Sequence, residues 1–67
     1  MSFYYQKDGR LRKIGINLFL ELAINSNSLI KEISFNHRTK ELKVNRVVVK
    51  SFFQNILVSE NRMIIKL

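Results

Sequence analysis

Leu11-Arg12-Lys13-Ile14-Gly15-Ile16-Asn17-Leu18-Phe19-Leu20-Glu21-Leu22-Ala23-Ile24-Asn25 satisfies two templates that exclude each other. With a period of two, Ile14, Ile16, Leu18, Leu20, Leu22 and Ile24 share one face, as in a strand. With a period of 3.6, Arg10, Lys13, Asn17, Glu21 and Asn25 form one polar stripe, as on a helix. Length separates the two, because strands average about 5–6 residues and helices about 11–12. Leu, Ala and Glu favour the helix, while the isoleucines and Gly15 oppose it. The stretch from Leu11 to Asn25 is therefore expected to be helical. Asn25-Ser26-Asn27-Ser28 would end it, since Asn tolerates the left-handed conformation found at helix ends.

Outward from this stretch the pattern is strand-like. Phe3 to Gln6 has β propensity. Lys7-Asp8-Gly9-Arg10 is a turn: Asp-Gly favours a tight reversal, although Asp8 can equally cap a following helix. Downstream, Leu29 to Phe35 reads as a strand with Ile33 and Phe35 on one face. Asn36-His37-Arg38-Thr39-Lys40 is a polar turn, and Leu42 and Val44 resume the alternation. This is the clearest hairpin in the chain. Asn45 can cap a second helix running to about Val58, with Val49, Phe52, Phe53, Ile56 and Leu57 at helical spacing. Val47-Val48-Val49 argues the other way, for strand. Ser59-Glu60-Asn61-Arg62 makes a turn before a last strand, Met63 to Leu67.

The resulting order is strand, helix, strand, strand, helix, strand. It predicts a small α+β domain of the split βαβ, ferredoxin-like kind, with two helices on one face of a four-stranded sheet. The alternative, if both helices are misread, is a small all-β barrel of the SH3 or OB kind.

Size and composition bound what such a domain does. The chain has 67 residues, room for one domain, and 46% of them are apolar, enough for a packed core. A domain this small buries only about 60% of its unfolded surface, so nearly all its apolar residues are needed in one core. Cysteine is absent. That removes disulfides, thiolate nucleophiles and cysteine zinc sites, and points to an intracellular, cytoplasmic setting. Met1 to Asp8 does not resemble a signal peptide. The apolar stretch from Ile14 to Ile24 is about half the length of a membrane span, so a membrane partner is not expected.

Catalysis is not expected either, and no cofactor or metal is called for. His37 is the only histidine. It sits in a polar turn with no fixed titratable partner, where solvated histidines are the rule. Asp8, Glu21, Glu32, Glu41 and Glu60 are scattered singly without metal-ligand spacing. Gly9 and Gly15 build no phosphate loop.

Charge is the informative feature. Twelve Lys and Arg against five Asp and Glu give a net charge of +7. A positive field of that density favours polyanions, anionic lipid or an acidic protein surface. Arg10, Arg12 and Lys13 cluster where a helix N-terminus would already be positive, an arrangement that suits an anion site better than helix stability. Arg38, Lys40, Lys43, Arg46 and Lys50 form a second group, with only Glu41 among them. Together these eight are the candidate phosphate contacts. Tyr4 is a candidate for stacking on a base from an open sheet face, with Phe3 and Tyr5 turned to the core. The third strand, Glu41 to Asn45, lacks the aromatics of RNA-recognition sheets.

A helix polar only along a narrow stripe is normally covered on more than one side. Leu18, Phe19 and Leu22 are therefore expected at a partner interface, in a homodimer or as a subunit of a larger complex. The expected function is a small basic binding module, contacting DNA or RNA through phosphates with little sequence preference. The alternative is a protein-interaction module, a regulatory adaptor, inhibitor or accessory subunit docked on an acidic protein surface.

Overall fold

Both templates hold for Arg10 to Asn25, one after the other. In the computed structural model, which describes residues 1–67, strand β2 spans Arg10–Ile14 and helix α1 spans Ile16–Ser26. The change of period falls at Gly15, which is extended (φ −82°, ψ 165°) and occupies the N-cap position without a side-chain cap bond. Its carbonyl accepts from the Phe19 amide at 3.0 Å. Beyond it, Asn17, Glu21 and Asn25 are the helix's exposed stripe, as the 3.6 period requires, while Phe19 and Ala23 are fully buried. The helix ends without a left-handed residue: Asn27 is extended at φ −145°.

Strand β1 spans Ser2–Lys7 and pairs antiparallel with β2. Asp8 and Gly9 join them with φ of 53° and 76°. Two consecutive positive φ values are those of a type I′ turn, whose twist matches the flanking strands. Asp8 is thus a turn residue and not a helix cap. Strands β3 (Ile33–Asn36) and β4 (Glu41–Val44) form the expected hairpin, although β3 is shorter than Leu29–Phe35. Its loop closes through Lys40 N–H to the Asn36 carbonyl at 2.7 Å, and Asn36 Oδ1 accepts from the Arg38 and Thr39 amides.

The second helix does not form. Residues 47–58 are three short strands instead: β5 (Val47–Val49), β6 (Phe52–Phe53) and β7 (Ile56–Val58). The β-branched run at Val47 prefers the extended state. Asn45 and Arg46 take φ of 51° and 69°, another I′-like turn, which removes Asn45 from any N-cap role. Buried Val49 and Ile56 and half-buried Phe53 mimic helical spacing because tight bends separate three short strands whose inward residues fall three and four positions apart.

Strand β8 (Arg62–Lys66) completes the fold and lies parallel to β1. The five-stranded sheet has the order β2-β1-β8-β7-β6, and β3-β4-β5 makes a separate three-stranded sheet. The domain is therefore α+β, with one helix and eight strands, and it is not a closed barrel. It also departs from the ferredoxin-like plan: the segment expected as a second helix forms β5, β6 and β7, and the β3–β4 hairpin joins β5 in a sheet of its own. α1 packs on β1 and β8 of the large sheet and on β3 of the small one. No helix is long and apolar enough to cross a membrane.

The core is ten buried residues, all apolar: Phe3, Phe19, Ala23, Ile30, Leu42, Val44, Val49, Ile56, Met63 and Ile65. With so few, loop anchors matter. Asn45 Oδ1 accepts from the Lys31 and Glu32 amides at 2.7 and 3.1 Å, and its Nδ2 donates to the Leu29 carbonyl at 2.8 Å. One side chain thus fixes the segment that leads from Ile30 into β3. Asn45→Gly keeps the backbone conformation but loses these bonds, an expected cost of about 2 kcal/mol. Asn45→Ala adds the strain of positive φ, about 1 kcal/mol more. A domain this size has only about 3–10 kcal/mol in total. Urea denaturation should therefore rank wild type, Gly and Ala in that order.

Candidate functional site

Alternation along the strands sorts the large sheet into two faces. Phe3, Met63, Ile65 and Ile56 are buried on the inner face, with Tyr5, Ile14, Phe53 and Val58 packed around them. Their neighbours point the other way, where neither the helix nor the small sheet lies. Cα register places Lys13 opposite Tyr4, Tyr4 beside Ile64, Ile64 opposite Leu57 and Leu57 opposite Phe52. A single row, Lys13–Tyr4–Ile64–Leu57–Phe52, therefore crosses every strand of the open face, roughly 19 Å at about 4.8 Å per strand. Phe52 is 68% exposed and Leu57 38%, large values for residues of a sheet face. Arg62 and Lys66 lie on this face, one on either side of Ile64 along β8. The Arg62 guanidinium sits 5.6 Å from the centre of the Tyr4 ring, within cation–π range.

The charge distribution over this sheet is one-sided. Its strands carry Lys7, Arg10, Arg12, Lys13, Arg62 and Lys66 and no Asp or Glu. Asp8 and Glu60 stand in turns, Glu21 on α1, Glu32 ahead of β3 and Glu41 on β4. The only ion pair in the protein is Arg46 Nε to Glu32 Oε1 at 2.9 Å, on the far sheet. Every cation of the large sheet is without a carboxylate partner.

The expected basic residues fall into two groups on different sheets. Arg10, Arg12 and Lys13 lie together on β2 but not on one face. Lys13 belongs to the open row. Arg10 and Arg12 are on the reverse side of the hairpin, in a groove lined with Tyr5, Lys7 and Asp8. Arg38, Lys40, Lys43, Arg46 and Lys50 are exposed on or beside the small sheet: Arg38 and Lys40 in the β3–β4 loop, Lys43 facing outward between Ser34 and Val48, Arg46 paired to Glu32, Lys50 after β5. Tyr4 is half-buried on the open face, while Phe3 is in the core and Tyr5 packs against it. His37 is exposed, with its ring edge-on to Phe35 at 5.2 Å.

Of the three residues expected at a partner interface, Phe19 is fully buried in the protein's own core, Leu22 packs half-buried against it, and Leu18 is exposed. Two sheets of the same chain cover the helix on its Phe19 and Ala23 side, and Leu18 and Ile24 stay exposed beside the polar stripe.

Lys7, Ile64, Leu57, Phe52, Arg62 and Lys66 belong to the site's setting and are not apparent as a group in sequence. The alternation Arg62-Met63-Ile64-Ile65-Lys66 is a visible signal of a strand with cations on one face. What sequence does not reveal is that this strand lies beside Tyr4. No protein-family model, curated protein or solved structure matches the chain.

One contact on the hairpin is unfavourable on its own terms. Lys7 and Arg10 are direct cross-strand partners. Like charges so placed destabilise a sheet, and an opposite pair contributes up to about 1 kcal/mol. Lys7→Glu should accordingly raise the melting temperature by a few degrees, read by thermal denaturation at low salt.

Proposed function

We propose that the protein binds nucleic acid through the cations of its five-stranded sheet, by phosphate contacts with little sequence preference. The observation that carries this is the sheet's composition: six unpaired cations on its strands and no carboxylate. A surface selected only for solubility would intersperse both signs. Here stability is given up at Lys7 and Arg10 to keep one sign, as a site for a polyanion requires. Phosphate contacts position a nucleic acid without reading its bases, which fits a sheet whose charged side chains are all Lys and Arg. The Arg38, Lys40, Lys43 and Lys50 group would add a second, weaker field on the other sheet.

Docking on an acidic protein surface is the second reading, favoured by Leu11, Leu57 and Phe52, apolar side chains exposed on the large sheet. The two differ in what they co-purify with. A nucleic-acid binder loses its partner on nuclease treatment, whereas a protein-docking module keeps a stoichiometric protein partner through it.

Affinity for nucleic acid should fall linearly with salt on a log–log scale, by about 0.7–0.9 per phosphate contacted. Lys13→Ala/Lys66→Ala, which removes two cations of one face, should flatten that slope by roughly 1.4–1.8, for two contacts. It should weaken unrelated sequences alike and leave the far-ultraviolet spectrum unchanged, since both side chains are exposed. Wild-type affinity in the double variant at physiological salt would reduce the patch to a solubilising surface and move protein docking into first place.

A further inference from the structure

The large sheet's open face is not uniformly basic, and its pattern distinguishes among polyanions. Its central row is Tyr4, Ile64, Leu57 and Phe52, apolar from end to end. Cations border the row: Lys13 at one end, and Arg62 and Lys66 two residues to either side of Ile64. Two residues of strand are about 6.6 Å, so the charged rims and the apolar floor lie one side chain apart.

A duplex presents phosphates outward and keeps its base faces stacked inside. Laid on this row, it would bring phosphates onto apolar side chains and strip their water without replacement. A second copy of this chain would bring the same set of unpaired cations against itself. A single strand has the complementary pattern, flat apolar bases on one side and a charged backbone on the other. Bases stack on aromatic rings whatever their identity, because every base has a π-face.

We infer that the ligand is single-stranded nucleic acid, its bases lying on the Tyr4–Phe52 row and its phosphates against Lys13, Arg62 and Lys66. The inference rests on the nucleic-acid function proposed above and adds the form of the ligand. Arg62 already holds its guanidinium beside the Tyr4 ring, so Tyr4 and Arg62 together offer one stacking surface and one phosphate donor. Phe52, more than two-thirds exposed at the far edge, offers the second ring.

The protein reports on this contact itself. It has no tryptophan and two tyrosines, Tyr4 and Tyr5. In a Tyr5→Phe background, which keeps the half-buried ring, all tyrosine emission comes from Tyr4. The probes are an oligothymidylate, a duplex of equal length and inorganic polyphosphate, a polyanion without bases. Oligothymidylate is expected to bind more tightly than the duplex and to quench Tyr4, while polyphosphate leaves its emission unchanged. Tyr4→Leu, on the face away from the core, should lower oligothymidylate affinity about tenfold and polyphosphate affinity not at all. Phe52→Ala, at a position too exposed to carry the fold, should act in the same direction.

Equal or tighter duplex binding, or bound oligothymidylate with unquenched Tyr4 and unaltered affinity in both variants, would overturn the single-strand inference and leave the electrostatic function standing. No binding of any nucleic acid at physiological salt would remove both.

Discussion

Phe3 is where the three layers of the protein meet. Its ring lies 5.2 Å from Phe19 on the helix and 5.1 Å from Phe35 on the small sheet, the second contact edge-to-face. It stands on β1, a central strand of the large sheet, held between β2 and β8. Aromatic pairs in such geometries contribute about 0.5–1.5 kcal/mol each beyond the area they bury. In a core of ten residues this one side chain joins both sheets and the helix. It also fixes the open face. Phe3 and Tyr5 turn inward, so their neighbour Tyr4 turns outward, and register with β2 and β8 then aligns Lys13 and Ile64 beside it.

The parts of the fold that were legible in sequence are those decided locally. Asp8-Gly9 specifies its turn because positive φ is tolerated there. The β3–β4 hairpin is visible from alternation, and its loop from Asn36, whose side chain closes it. The helix was legible from Asn17 onward, where a real 3.6 period exists. What failed is instructive at Arg10 and Lys13, which continued the helical polar stripe by coincidence, one residue of glycine short of it. Between Asn45 and Val58 the failure had another source. Short strands linked by tight bends put inward side chains three and four residues apart, and no periodicity test separates that from a helix. There the β-branched run at Val47 was the better guide.

The site was legible in charge and not in geometry. Net charge and the cluster at Arg10, Arg12 and Lys13 pointed to a polyanion, and Tyr4 was recognised as the outward residue of its strand. The meeting of Tyr4 with Arg62, Ile64 and Lys66 depends on parallel pairing of the two terminal strands. Residues about sixty positions apart become neighbours through a contact that has no local signal. Of the residues expected at a partner interface, Phe19 is covered by the chain itself, where α1 meets β1 and β8 of the large sheet and β3 of the small one, while Leu18 stays exposed.

That economy bears on how the open face persists. Sixty-seven residues provide one helix and one small sheet to cover one side of the large sheet. None of these elements packs on the other side. An exposed apolar row on a long sheet normally invites association of like with like. Here the flanking cations oppose it, since any two copies meeting face to face would confine Lys13, Arg62 and Lys66 of each, six unpaired charges of one sign, at short range, in a setting where displaced water no longer screens them. The charges that would draw a polyanion under the proposed function therefore also keep the apolar row free of a second copy. Crowding of like charge on the sheet also costs stability, most directly between Lys7 and Arg10 on its reverse side. Under the proposed function, a polyanion held on the open face would relieve the repulsion among Lys13, Arg62 and Lys66, so its binding would add to folding stability.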